Sequence, residues 1–215
     1  HEGREAGFLA KSEFCATCHT VITRPLNAAG EVVGPEFPEQ TCYLEWRNSA
    51  FRAEAPVGES AVECQGCHMP TRDAEGNAIS AVLSQQPATG LSPRMPIGRH
   101  VFQGANGYLL SILAAENEWL GGTPTRAELT AAADIADAML RRGATLTVET
   151  ARRAGDALTF NVRVTNTAGH RFPTGYPSRR AWLHIRVIDD AGVVRFESGR
   201  TDANGRLVDG AGNSL

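Results

Sequence analysis

Two five-residue stretches constrain this chain more than anything else in it: Cys15-Ala16-Thr17-Cys18-His19 and Cys64-Gln65-Gly66-Cys67-His68. Each is a Cys-x-x-Cys-His. At that spacing one short turn presents two thiols to one edge of a flat ring, where each adds to a vinyl group and forms a thioether. The His that follows then lies beneath the ring's metal. The pattern reads as covalent attachment of c-type haem, with His19 and His68 as proximal iron ligands. The two copies use four of the five cysteines. A Cys₄ zinc site made by pairing the two Cys-x-x-Cys halves is the main alternative. It needs no His after either pair, yet both pairs have one. A pair of disulfides is the other alternative, and the short two-residue loops disfavour it. The expected cofactor is therefore haem c, two per chain.

Charge and composition narrow the partners. Over 215 residues the formal net charge is −3, and haem propionates would make it more negative. That argues against nucleic acid and offers no basic patch to an anionic membrane. A hydrophobic content of 42% suffices for an ordinary core. No stretch approaches the roughly 20 apolar residues of a membrane span. The first residues, His1-Glu2-Gly3-Arg4-Glu5, lack the basic and apolar regions of a signal peptide. Haem c is normally attached outside the cytoplasm, so the chain is read as a form whose export signal has gone, located in the periplasm or at the cell surface. Cys42 falls outside both motifs and reads as a small, partly buried residue.

Periodicity divides the chain at residue 143, into an α+β whole. Residues 1–143 read as a dihaem part, mostly irregular or helical. Pro25, Pro35 and Pro38 with Gly30 and Gly34 make 24–40 a loop. Thr41 to Phe51 reads as a helix whose Tyr43, Leu44, Trp46 and Phe51 suit either porphyrin lining or ordinary core. The Pro/Gly-rich segment from Pro70 to Gly98 reads as irregular. Two helices follow, Gly107 to Leu120 and one capped by Thr125 with Glu128 in a capping box. Gly143 is expected to stop the second in a left-handed conformation. From Ala144 the period becomes two. Thr145–Ala151, Ala157–Thr165, Ala181–Asp189 and Val193–Ser198 read as strands, the last two joined by a turn at Asp189-Asp190-Ala191-Gly192. Residues 144–215 are thus expected to form an immunoglobulin-like β-sandwich, with only four of about seven strands evident.

A low-spin electron carrier needs a sixth iron ligand, His or Met. His1, His100, His170 and His184 remain. His100 precedes a helix, and His170 sits in a Gly/Pro loop able to project it from the sheet edge. His184 alternates with strand residues and reads as surface. Met69 adjoins a proximal His, Met139 belongs to a helix core, and Met95 stays open. The residue-level choice is His100 and His170 as distal ligands, with His1 in reserve.

Beyond the two motifs, an ordered set of stretches carries a resemblance: SEFCATCH (Ser12–His19), EQTCYLEWRNSAF (Glu39–Phe51), VECQGCHMP (Val62–Pro70), RHVFQGAN (Arg99–Asn106) and VTNTAGHRFPTGYPSRRAWLHIRV (Val164–Val187). Together they resemble the bacterial multihaem cytochromes c in which a second Cys-x-x-Cys-His module ends in CHMP. The resemblance implies that the His of the RHxF and GHxFPTG stretches, here His100 and His170, ligates haem, and that a His ahead of the first module, here His1, can do so too. Cys42 departs from the Thr that similar sequences carry. Such sequences usually continue past the β region with another His-containing stretch, so the resemblance implies, as an expectation, that this chain is a fragment or a cleaved subunit.

Electron transfer is the function these observations favour. The partners would be redox proteins, among them other multihaem chains. No acid–base or nucleophilic constellation accompanies the motifs. A haem subunit of an oxidoreductase acting on a small nitrogen or sulfur species is the second reading, with Arg99, Arg171, Arg179 and Arg180 as candidate anion contacts. A unit of a larger haem-bearing assembly, docked through its strands, is the third.

Overall fold

The computed structural model describes residues 6–52, 61–73, 75–82, 92–175 and 179–214. His1 lies outside them. The described residues are mixed helix and antiparallel sheet, an α+β chain. They form two compact units, 1–177 and 178–215. The division falls within the stretch of strands that starts at Ala144.

In the first unit, α1 (Ser12–His19) carries the first motif and α3 (Cys64–His68) the second. β1 (Val21–Thr23) pairs antiparallel with β2 (Phe37–Gln40), Ile22 standing opposite Pro38. β2 lies inside the stretch the sequence reading made a loop. A two-stranded ribbon is all edge, so a Pro with no N–H to donate is tolerated there. α2 (Cys42–Arg47) is shorter than expected. Beyond it Asn48 donates through Nδ2 to the Leu44 carbonyl at 2.7 Å and Ser49 through Oγ to the Trp46 carbonyl at 2.7 Å. These short polar side chains satisfy the last carbonyls and end the helix.

The apolar run after Asn106 breaks at Glu116 into α4 (Gly107–Ala115) and α5 (Asn117–Leu120). Asn106 caps α4 by accepting from the Leu109 N–H. α6 (Arg126–Arg141) starts on the expected capping box: Thr125 and Glu128 bond each other's backbone N–H. α4 crosses α6 where small residues let the helices close up. Gly107, Ala114, Ala133 and Ala136 are buried, and a Cβ on Gly107 would lie 3.1 Å from the Ala133 carbonyl oxygen.

Gly143 is not left-handed. Arg142 closes α6 with φ −88° and ψ −8°, and β3 begins at Ala144. Glycine is required for space instead, since a Cβ there would stand 2.9 Å from the Phe172 ring. β3 (Ala144–Ala154) and β4 (Ala157–Asn166) form a long hairpin, with a register shift between Glu149 and Arg152 where Thr150 takes φ +51°.

In the second unit, β5 (Ile185–Ile188) pairs with β6 (Val194–Ser198). β5 is shorter than expected at its start. Gly199, at φ +79°, turns the chain so tightly that a Cβ would lie 2.0 Å from the Leu183 oxygen. The Trp182 indole donates to the Gly199 carbonyl at 3.1 Å, so 181–184 pack on this turn rather than joining the ladder.

One turn design recurs. Asn27, Asp73, Asp189, Asp202 and Asp209 each accept the backbone N–H groups two and four residues on through their side-chain oxygen. Each is followed three residues later by a glycine with positive φ. These Asx turns close small hairpins without an apolar core.

Among the described residues the strands pair only two by two, in three separate sheets. An immunoglobulin-like sandwich needs larger sheets packed face to face. On the β3–β4 hairpin Leu146, Val148 and Val164 instead stay more than half exposed. Among the described residues the buried hydrophobic side chains are Trp46, Ala114, Ala133, Ala136 and Val208, so Trp46 is the one large one. No helix among the described residues is long and apolar enough to cross a membrane.

Candidate dihaem site

All the structured parts of the site belong to the first unit. The two motif helices are clasped by Ser12 and Glu63. The Ser12 hydroxyl donates to Glu63 Oε2 at 2.6 Å and its backbone N–H donates to the same oxygen at 2.8 Å. The same hydroxyl accepts from the Cys64 N–H at 3.0 Å, so one buried group joins the starts of both helices. Lys11 adds an ion pair to Glu63 at 3.1 Å. Gln65 donates to the carbonyls of Leu9 and Lys11. Burial pushes the Glu63 carboxyl up, but the Ser12 and Lys11 hydrogen bonds outweigh it and hold it below the ordinary 4.5.

The clasp sets the first cysteines of the two motifs against each other. Burial, then the neighbouring Cys64 thiol, pushes the Cys15 thiol up to about 11. Cys18 and Cys67 are exposed, and all five cysteines are free, so the disulfide alternative has no pair here. Zinc would need thiolates gathered round one point. Among the described residues no group of three His, Cys, Asp or Glu has that arrangement.

The histidines divide by how they use their ring nitrogens. His19 donates from Nδ1 to Gln40 Oε1 at 3.2 Å, His68 from Nδ1 to the Gln103 carbonyl at 2.5 Å, and His170 from Nδ1 to the Arg171 carbonyl at 3.1 Å. Those acceptors fix the tautomer that leaves Nε2 its lone pair, the arrangement a metal-binding imidazole adopts. His184 does the reverse. Its Nε2 meets Glu197 at 2.9 Å, which agrees with its reading as a surface residue. Burial is the main cause that pushes the His68 imidazole below 6.5, with nearby His170 and His19 adding to it.

His170 is brought to His68. Their ring centres are 6.3 Å apart and their planes differ by 23°. Two imidazoles on opposite faces of one iron stand about 6 Å apart centre to centre, from a bond of about 2.0 Å on each side and about 1.1 Å from nitrogen to ring centre. An offset ring pair spans the same range, but here both rings already commit Nδ1 elsewhere and keep Nε2. His100 is exposed, with its ring against Phe102 at 5.6 Å. Its part of the chain reaches the site through Gln103, the acceptor for His68. Met95 is exposed as well.

Cys64, Cys67, His68 and His170 fit a c-type haem at the second motif, and Cys15, Cys18 and His19 offer the attachment and one imidazole at the first. A porphyrin supplies four of the iron's ligands, so two imidazoles complete it. The flanks offer the apolar surface such a ring covers: Phe8, Phe14, Ile22 and Phe37 are about half exposed or more. Trp46, by contrast, belongs to the core. It is buried, stacks on Tyr43 and donates to the Val62 carbonyl at 2.9 Å.

The loop bearing His170 is seated on α2. Glu45 accepts from the Arg171 and Gly175 N–H groups at 3.1 Å each and from the Thr174 hydroxyl at 2.7 Å. Gly175, at φ +47°, lies where a Cβ would strike Cys42 Sγ at 2.5 Å. Ser12, Glu45, Glu63 and Gln103 were not singled out in the sequence. The available signal was their position: Glu63 immediately precedes one motif, Ser12 stands three residues before the other, and Gln103 follows RHxF. Comparisons with family models, with curated proteins and with solved structures find no match.

Proposed function

We propose that this chain is a dihaem c-type cytochrome that passes single electrons between redox partners outside the cytoplasm. The observation that carries the reading is the His68–His170 pair, 6.3 Å apart with Nδ1 of each ring tied to a backbone carbonyl. Haem c supplies reversible one-electron chemistry. The protein's part is to hold it. Cys15 and Cys18 would attach one group and Cys64 and Cys67 the other, with His19 and His68 as proximal ligands. His170 would close the second iron. His100, or His1, is proposed for the first. The Ser12–Glu63 clasp holds the two attachment points side by side, which shortens the step between them. Two imidazoles on one iron favour a lower potential than a His/Met pair. Redox proteins, including other multihaem chains, are the proposed partners. The immunoglobulin-like layout stays a proposal for residues 144–215, supported by their hairpins and uncovered apolar faces.

His19 is exposed and its ring contact is with Gln40. That favours, as the second reading, an open iron at the first motif that turns over a small nitrogen or sulfur species. The visible spectrum of the reduced protein before and after carbon monoxide separates the two. No change supports the carrier. A shift of about half the haem moves the assignment to an enzyme.

A further inference from the structure

Glu45 is the most heavily used carboxylate in the first unit. Oε1 accepts from the Thr41 hydroxyl at 2.8 Å and the Gly175 N–H at 3.1 Å, and Oε2 from the Thr174 hydroxyl at 2.7 Å and the Arg171 N–H at 3.1 Å. Four donors fill the four lone-pair sites of an ionised carboxylate. Glutamine in the same place would offer one acceptor oxygen and turn its NH₂ toward one hydroxyl, which can rotate to accept, and one backbone N–H, which cannot.

Three of those four donors come from one loop, the one that carries His170. Arg171 is the link. Glu45 holds its N–H, and its carbonyl, in the next peptide on, accepts from His170 Nδ1. Asn166 shares the first of those peptides, donating to the His170 carbonyl at 2.8 Å, and a Cβ on Gly169 would meet Trp46 and Phe51 at ordinary contact distance. Glu45 alone holds the chain on both sides of the Arg171 carbonyl, through the Arg171 N–H before it and Thr174 and Gly175 after it.

We propose that Glu45 is the positioning residue for His170: by holding the backbone on both sides of the Arg171 carbonyl it keeps the ring set against His68, and so decides whether that iron is closed or open to small ligands. The inference deepens the dihaem reading and rests on it. Glu45 touches no ring nitrogen and acts through the loop backbone.

The test uses the full-length holoprotein and the variants Glu45→Gln, Glu45→Ala, Glu45→Asp and His170→Ala. Haem per chain is measured first, then the low-spin fraction and the fraction of reduced haem that binds carbon monoxide. In His170→Ala the carbon monoxide-binding fraction should rise over wild type by about one haem in two, and added imidazole should restore the low-spin spectrum. Glu45→Gln should keep two haems and move part of the way to that state, Glu45→Ala further. Glu45→Asp, which keeps the carboxylate, should recover most of the wild-type spectrum. If the alanine variant does not accumulate, the glutamine and aspartate variants carry the comparison. Two haems and a wild-type spectrum in Glu45→Gln, beside an open iron in His170→Ala, overturn the role of Glu45 and leave the dihaem reading standing. A His170→Ala protein that keeps two haems and stays low-spin removes His170 as a ligand and overturns the role of Glu45, and a chain without haem overturns both.

Discussion

Replacing Ser12 by alanine tests the clasp between the two motifs. The residue is fully buried. Its hydroxyl makes one bond to an ionised carboxylate at 2.6 Å and receives another from the Cys64 N–H at 3.0 Å. Losing a bond to a charged group costs about 1.5–3 kcal/mol, and a stranded part-buried N–H costs about 1–3 kcal/mol. The Ser12 N–H keeps its bond to Glu63 and adds nothing, so the two losses together should come to about 2.5–6 kcal/mol. For a chain of this length that lowers the melting temperature by on the order of 10 °C. Thermal unfolding followed by circular dichroism reads it. Thr17→Ala, on the exposed side of the same helix, removes a hydroxyl bonded to the Phe14 carbonyl and should cost no more than about 0.5 kcal/mol. The sharper assay is a cycle of Ser12→Ala, Glu63→Gln and the double variant, which should show a coupling of about 1–2 kcal/mol. Effects that add to within about 0.5 kcal/mol would mean that the two residues stabilise the chain separately, and the clasp argument would be wrong.

The clasp also gives a pH dependence. Glu63 is held below its ordinary 4.5, so its contribution is complete above that value and is lost as pH falls through the lower folded value. An acid titration should loosen wild type in that window and leave Glu63→Gln without the step. Gly143→Ala places a Cβ 2.9 Å from the Phe172 ring and 3.2 Å from the Leu140 oxygen, and urea unfolding should report a loss of about 1–3 kcal/mol. Gly199→Ala meets the Leu183 oxygen at 2.0 Å and should remove hydrogen-exchange protection from β5–β6 while β3–β4 keeps its own. His184→Ala should leave the visible spectrum unchanged where His170→Ala alters it, because only His184 spends Nε2 on a carboxylate.

Local chemistry was legible in the sequence where a residue type dictates its own neighbourhood. The Thr125–Glu128 box and the turn at Asp189 to Gly192 stand where the pattern puts them. Features set by distant packing were not legible. Gly143 looked like a helix cap, yet Phe172, 29 positions on, is what requires it. β2 hid behind Pro38 because a two-stranded ribbon has no interior to exclude proline. Whether the strands of 144–215 pack as a sandwich was not legible for a related reason. Alternation says which face of a strand is apolar, and it does not say whether another sheet covers that face. The pairing of His170 with His68 was within reach only as a pair of candidates. The clasping carboxylates were invisible, since Glu45 and Glu63 look like any other surface glutamate until their partners, 129 and 51 residues away, are in place.

The span between Ser12 and Glu63 sets a schedule as well as a contact. A chain emerging N-terminus first presents Cys15 and Cys18 before Glu63 exists. Through that interval α1 lacks its acceptor, and the Cys64 N–H that Ser12 receives is also missing. Once the second motif arrives, the two helices close together and Cys15 meets Cys64. The clasp is therefore a late contact, closed only when more than fifty residues beyond Ser12 are in place.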